Sequence, residues 1–114
     1  MDIQIIRKKI SKKELSELAQ AGFGEMVKGV VDLERHLLAL GGELHADAEA
    51  ILLEDGSQQK DVWGFNLYPD KQKNEWIEFS SFINIRPSQG NRSMEIKDPA
   101  LQEQIRKIID DLIE

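Results

Sequence analysis

The chain has 114 residues, of which 40% are apolar and 32% charged, and its formal net charge is −6 at pH 7. These values are typical of a globular protein with a solvated exterior, so we expect residues 1–114 to form a single domain. The acidic balance argues against a broad nucleic-acid-binding surface, because such a surface neutralises phosphates with clustered Lys and Arg. The chain contains no cysteine, which excludes disulfides, thiolate metal sites and cysteine nucleophiles.

No segment approaches the roughly 20 apolar residues that a membrane helix needs. The first residues lack the charged and apolar regions of a secretory signal. We therefore expect a cytoplasmic protein with no membrane partner. No cofactor or metal is predicted, because no motif for either occurs in the sequence.

The opening of the chain predicts a strand followed by a helix. Apolar residues among polar ones predict a short strand over Asp2–Arg7. Ser11 and Glu14 then fit a capping box, in which the Ser hydroxyl accepts from a backbone N–H of the first turn and the Glu side chain reaches back. Gly22 is a typical helix terminator, so we expect the helix to end near it.

The segment Met26–Gly42 is ambiguous between two structures. Apolar and polar residues alternate around Gly29, which predicts a hairpin with Arg35 and His36 at its tip. Apolar residues of the same segment also recur at helical spacing, so the alternative is a single helix over Glu25–Leu40. We favour the hairpin, because glycine and valine are poor residues for a helix interior.

The second half of the chain predicts a helix, two strands and a final helix. Asp47 fits as the N-cap of a short helix. Alternation predicts a strand over Val62–Tyr68 and a longer strand over Trp76–Arg86, whose isoleucines would face the core. Asp98 followed by proline is typical of a helix start, and apolar residues recur at helical spacing after it.

The predicted order of elements is β-α-β-β-α-β-β-α. Strands that follow one another through short turns pair antiparallel, and helices cover the apolar side of such a sheet. We therefore predict an α+β fold with two layers. One layer is an antiparallel sheet of four to five strands, and the helices lie on one face of it.

The segment Phe82–Ser93 is the richest in polar side chains, with two arginines and three amides around a Pro/Gly turn. Arg86 and Arg92 are placed to converge on one anion, because the guanidinium fork suits carboxylate and phosphate. Asn84 and Asn91 would complete the hydrogen bonds of that anion. The alternative is structural: the arginines pair with nearby carboxylates and anchor a long loop.

A polar face of the predicted sheet extends this ligand site. Asn66, Tyr68 and Glu78 fall on one face if the last two strands form a hairpin. We take these three residues, with the polar residues of Phe82–Ser93, as candidate ligand-binding residues. The leading hypothesis is a binding or regulatory domain for a small anion, such as a phosphate- or carboxylate-bearing metabolite.

A second candidate site lies around His45. In an extended segment Glu43, His45 and Asp47 point the same way, and an imidazole beside two carboxylates suits a general base or a metal ligand. The structural alternative makes Asp47 a helix cap and gives His45 a backbone bond. The second functional hypothesis is a small hydrolase that uses these candidate catalytic residues, with the arginines holding a charged substrate.

Trp76 and Phe82 are large apolar residues on the polar face of the predicted last strand. Such residues are covered either by a loop of the same chain or by a partner. We favour coverage by residues 87–97, and the alternative is a homodimer through this face. A protein-interaction module, either a homodimer or one half of a toxin–antitoxin-like pair, is the third functional hypothesis.

Three segments of the chain resemble those of a small family of uncharacterised bacterial proteins. The segments are Gly41–Asp47, Trp63–Pro69 and Ile83–Ser93. The resemblance covers most of the chain and implies a prokaryotic, cytoplasmic protein. It implies no activity and no catalytic residue.

Overall fold

A computed structural model describes residues 2–114 and shows that they form an α+β fold. In chain order, the elements are β1 (Ile3–Ile6), α1 (Lys12–Ala21), β2 (Val27–Asp32), β3 (Leu37–Gly41), α2 (His45–Glu54), β4 (Val62–Leu67), β5 (Ile77–Glu78) and α3 (Pro99–Leu112). The strands form one antiparallel sheet in the order β1-β3-β2-β4-β5. The predicted class and the predicted order of elements are confirmed. None of the helices formed by residues 2–114 combines the length and the apolar character that a membrane crossing requires.

The first helix and the hairpin form as predicted. α1 follows Ser11, whose hydroxyl accepts from the backbone N–H of Glu14 at 3.1 Å, and Gly22 comes directly after its last residue. β2 and β3 pair antiparallel, so the single-helix alternative for this segment is wrong. His36 lies in the turn between them and adopts a left-handed conformation, with φ of 57°.

The sheet is apolar on both faces, and the helices divide between them. α1 and α3 pack on the face that carries Val31, Leu40 and Phe65. α2 packs on the opposite face, against Val30 and Ala39. The prediction of two layers with the helices on one face is therefore corrected to three layers. The physical reason is that the central strands are apolar at consecutive positions, as strands covered on both faces are.

The longest predicted strand, over Trp76–Arg86, is wrong for most of its length. β5 has two residues, and the chain then passes through short 3₁₀ turns at Phe82–Asn84 and Pro87–Gln89. Ser81 starts the first turn, because its hydroxyl accepts from the backbone N–H two residues later. Trp76 was predicted on the polar face, but it is buried in the hydrophobic core, and Phe82 is 77% exposed and is not covered by the following loop.

The last two helices begin in different ways. The Asp98 carboxylate accepts from the Ala100 N–H at 2.9 Å, so α3 has the predicted cap. α2 begins at His45, before the predicted position, and its N-cap residue Leu44 makes no side-chain bond. Asp47 is therefore not a cap. It lies in the first turn of α2, where a negative charge interacts favourably with the helix dipole.

Candidate functional site

The side chains of the Phe82–Ser93 segment bind the protein's own backbone. β4 pairs with β5 only at Asn66 and Leu67. The earlier residues of β4 therefore have no strand partner on the side that faces away from β2. Asn84 takes that place: its Oδ1 accepts from the Gly64 N–H at 2.8 Å, and its Nδ2 donates to the Gly64 carbonyl at 3.0 Å. One side-chain amide thus replaces a peptide group of the sheet and satisfies a buried N–H and C=O.

Arg86 is buried, and its guanidinium lies among acceptors of the same chain. Its Nε donates to the Ile83 carbonyl at 2.9 Å, Nη1 to the Gln59 carbonyl at 2.6 Å, and Nη2 to the Val62 carbonyl. The guanidinium also stacks on Trp63, with its Cζ 4.5 Å from the ring centre. These contacts tie the loop after β5 to the start of β4.

The charge of Arg86 is opposed by Glu49 of α2. The Glu49 Oε2 lies 3.6 Å from the Arg86 Nη2, and Nη1 donates a further bond to Gln89. Burial raises the pKa of Glu49 and lowers that of Arg86, and the attraction between the two charges opposes both shifts. Four of the five N–H donors of this guanidinium make hydrogen bonds within the chain, and its charge is paired with Glu49, so it does not present a free fork of donors.

Asn91 holds the same loop closed through its side-chain amide, whereas Arg92 takes no part in these contacts. The Asn91 Nδ2 donates to the carbonyls of Asn84 and Ser93 at 2.8 and 2.9 Å, and the backbone N–H of Arg86 donates to the Asn91 carbonyl. Arg92 is exposed and makes no hydrogen bond or ion pair with any of residues 2–114. The contacts of Arg86 and Asn91 are those of an anchored loop, as in the structural alternative, while the role of these residues and Arg92 in anion binding stays a prediction.

A second polar cluster lies at the other end of β4. The Asn66 Nδ2 donates to the Glu78 Oε1 at 2.7 Å, and the Tyr68 hydroxyl donates to the same oxygen at 3.3 Å. These three residues are neighbours, as the predicted hairpin required, while their role in ligand binding stays a prediction. The Asn66 Oδ1 is buried and has no hydrogen-bond partner among the described residues.

His45 packs beside this cluster from the first turn of α2. Its Nε2 lies 2.9 Å from the Phe65 carbonyl oxygen and donates to it, which leaves Nδ1 as the acceptor of the neutral ring. Burial lowers the pKa of His45, and the charge of Lys28 lowers it further. Glu43 and Asp47 are exposed and do not bond to His45, because α2 begins here and the segment is not extended. Residues 2–114 bring no three His, Asp or Glu side chains together in an arrangement that would hold a metal ion.

A cavity of about 300 Å³ opens at this end of the sheet, and we call it the sheet-end cavity. It lies between the end of α1, the segment after α1, and the adjoining ends of β1, β2 and β3. Its apolar wall is formed by Leu18, Phe23, Met26 and Val27. The volume is at the lower end of the range for small-molecule sites, roughly 300–1,000 Å³, so the cavity suits a small ligand.

Two glycines shape the cavity where β3 ends. Gly41 and Gly42 have φ of 111° and 85°, which turns the chain from β3 towards α2. A Cβ at Gly41 would collide with the carbonyl oxygen of Asp2, and one at Gly42 would lie 3.0 Å from the side chain of Ile3. The Gly-Gly pair is therefore required by the backbone conformation and by the close approach of β1.

Lys28 is the basic residue of this cavity, and it was not among the site residues predicted from the sequence. Its ammonium lies 5.3 Å from the centre of the Phe23 ring. In the sheet Lys28 is paired with Asn66, so it lies between the cavity and the polar cluster. The only sequence signal was a lysine inside a mainly apolar strand, and nothing local distinguishes such a residue from a solvated one.

The fold and this site define a small α+β protein with a ligand-sized cavity at one end of an antiparallel sheet. Residues 4–112 match the profile of a family described as "Protein of unknown function (DUF5674)". The chain belongs to this family, and the resemblance to a family of uncharacterised proteins is confirmed. Searches of curated proteins and of solved structures found no match.

Proposed function

We propose that the protein is a binding domain for a small molecule and that the sheet-end cavity is the binding site. The observation that carries the proposal is a concave apolar surface left open to solvent. Phe23 in its wall is 43% exposed and Met26 is only partly buried. Small-molecule sites combine such an apolar wall with a few polar groups that orient the ligand, and Gln4 and Lys28 are available for that purpose.

This proposal keeps the hypothesis of a small ligand and changes its location. The donors of Arg86, Asn84 and Asn91 already have acceptors within the chain, so the geometry does not favour an anion there. The hydrolase hypothesis gains no support either, because neither Glu43 nor Asp47 bonds to His45, whose Nε2 donates to the Phe65 carbonyl. The cavity beside Lys28 is a concave site with an apolar wall that the contacts of the described residues leave free.

Filling the cavity is expected to abolish ligand binding without unfolding the protein. Ala21 lines the cavity from the exposed end of α1, so Ala21→Trp places a large ring in the space without disturbing the core. We expect the wild type to bind members of a fragment library in ligand-observed NMR, and we expect Ala21→Trp to weaken this binding by about tenfold or more, which is 1.4 kcal/mol.

The matched control is Ala50→Trp, which adds the same ring at an exposed position of α2 outside the cavity. It is expected to bind like the wild type, and backbone chemical shifts of Phe23 and Met26 should move on ligand addition. The proposal fails if no fragment binds the wild type. It also fails if Ala21→Trp and Ala50→Trp bind equally well.

A second candidate function is self-association through the loop that follows β5. Phe82, Ile85 and Met94 are 77%, 43% and 37% exposed. Phe82 and Ile85 are three residues apart around a 3₁₀ turn, which places their side chains on the same side. Asn84 and Arg86 hold this loop in one conformation, so a partner would bind it with little loss of conformational entropy.

Self-association predicts a mass that depends on protein concentration. Light scattering after size-exclusion chromatography should show dimers of the wild type at high concentration and only monomers of Phe82→Asp. Leu44→Asp is the control, because Leu44 is 57% exposed at the start of α2 rather than in this loop. A wild type that stays monomeric at every concentration would rule out this function.

A further inference from the structure

Lys28 is the only cationic residue among the described residues that line the sheet-end cavity. The chain has 21 acidic and 15 basic residues, yet no carboxylate of residues 2–114 lies within 4 Å of the Lys28 ammonium. The residue is partly buried in the sheet. Its ammonium lies over the Phe23 ring in the cavity wall and makes no hydrogen bond with the described residues, so it is accessible to a bound anion. Asp2 lines the same cavity, but its carboxylate lies more than 4 Å from this ammonium and does not pair with it.

We infer that the ligand of the sheet-end cavity is a small apolar molecule with one carboxylate, and that Lys28 binds the carboxylate. This inference rests on the proposed function, because it names the ligand class of the same cavity. The carboxylate supplies the missing partner of the ammonium. The remainder of the ligand then contacts the apolar wall formed by Phe23, Met26 and Leu18.

The charges around the cavity orient the ligand. α1 ends at Ala21 beside the cavity, and no basic residue lies in its last turn. The carbonyl end of a helix carries a partial negative charge, which repels an anion. Asp2 also borders the cavity. The carboxylate is therefore favoured at Lys28, and the apolar part of the ligand is favoured beside α1.

The same charges select a singly charged ligand. A second anionic group would face Asp2 or the carbonyl end of α1 without a cation of its own. Phosphate sites use arginine forks or helix N-termini, and among the described residues that line this cavity there is neither an arginine nor the first turn of a helix. One ammonium matches one carboxylate, so the ligand class is an apolar monocarboxylate.

Matched pairs of ligands test the inference. A panel of straight-chain and phenyl-substituted monocarboxylic acids is titrated into the full chain beside the corresponding primary amides, which have the same shape and no charge. We expect the wild type to bind the best carboxylate about tenfold more tightly than its amide, a difference of 1.4 kcal/mol. Lys28→Met, which keeps the length and apolar stem of the side chain, is expected to bind both members of the pair with the affinity of the amide.

Two further variants control for the substitution itself. Lys28→Arg retains a cation and should retain the preference for the carboxylate. Lys73→Met removes another lysine that lies over an aromatic ring, with its ammonium 5.6 Å from the centre of Trp76, and should bind like the wild type. Thermal melting of each variant shows that it is folded before it is titrated.

The outcomes separate the inference from the proposed function. Equal binding of carboxylates and amides by the wild type overturns the inference and leaves the cavity as a binding site. A carboxylate preference that survives in Lys28→Met also overturns it, because the charge would then act from elsewhere. Binding of neither ligand type, together with an empty fragment screen, overturns the proposed function.

Discussion

Arg86→Ala is expected to lower the free energy of unfolding by about 3–5 kcal/mol, the range for breaking a buried ion pair by removal of one partner. The substitution leaves the Glu49 carboxylate without its cation and removes donors from the carbonyls of Gln59, Val62 and Ile83. It also removes the planar group that covers one face of Trp63. Urea denaturation followed by far-UV circular dichroism measures the loss.

Arg92→Ala is the matched control, because Arg92 is exposed and belongs to the same loop. It is expected to change the free energy of unfolding by no more than about 0.5 kcal/mol, as surface substitutions usually do. Arg86→Lys should fall between the two, since it restores a positive charge near Glu49 without the fork that reaches the carbonyls. Equal stability of Arg86→Ala and Arg92→Ala would contradict the structural role and return Arg86 to the list of ligand-binding candidates.

The elements that were predicted correctly are those with local signals. Ser11 with Glu14, and Asp98 with its following proline, identify helix starts within a few residues, and the structure has both caps. The hairpin of β2 and β3 was also local, because its strands are joined by a short turn. Short-range patterns therefore sufficed wherever the stabilising contacts were themselves short-range.

The segment after Trp76 was predicted wrongly because its stabilising contacts are long-range. Alternating residues predicted a strand, but Asn84 bonds with Gly64, twenty residues earlier in the sequence. Arg86 similarly reaches carbonyls at the start of β4. Here side chains complete the sheet edge, and tertiary contacts outweigh the local preference for extended backbone.

In the candidate site, too, the residues related by short-range patterns were predicted, and those brought together by long-range packing were not. Asn66, Tyr68 and Glu78 were grouped from the sequence, because face alternation on two neighbouring strands is a short-range rule. The sheet-end cavity was not predicted, since its walls come from the end of α1 and from three strands that are separate in the sequence. Lys28 became a candidate ligand-binding residue only because that packing places it in the lining of the cavity.

Asn84→Asp tests the side chain that replaces a strand, and it is expected to lower the free energy of unfolding by about 3 kcal/mol at pH 7. The new carboxylate still accepts from the Gly64 N–H, but it cannot donate to the carbonyls of Gly64 and Met94. Each buried group that loses its partner costs about 1–3 kcal/mol. The position is completely buried, so an ionised group there also loses its hydration.

The pH dependence of this loss identifies its cause. Burial raises the pKa of the new carboxyl group in the folded state above its unfolded value of about 3.9. The folded variant therefore binds more protons than the unfolded chain as the pH falls towards that value, and its stability relative to the wild type rises. A protonated carboxyl also regains an O–H donor for the Gly64 carbonyl. The destabilisation measured by urea denaturation should thus be smaller at pH 5 than at pH 7.

Asn74→Asp separates this effect from a general effect of added negative charge. Asn74 is exposed in the loop before β5, and its substitution should change the free energy of unfolding by no more than about 0.5 kcal/mol at either pH. A destabilisation of Asn84→Asp that is equally small, or one that grows from pH 7 to pH 5, would show that the side chain at 84 does not complete the edge of β4. A large loss of stability that becomes smaller on acidification would show that a buried hydrogen-bond donor is needed at position 84. A neighbouring strand would have supplied such a donor from its backbone.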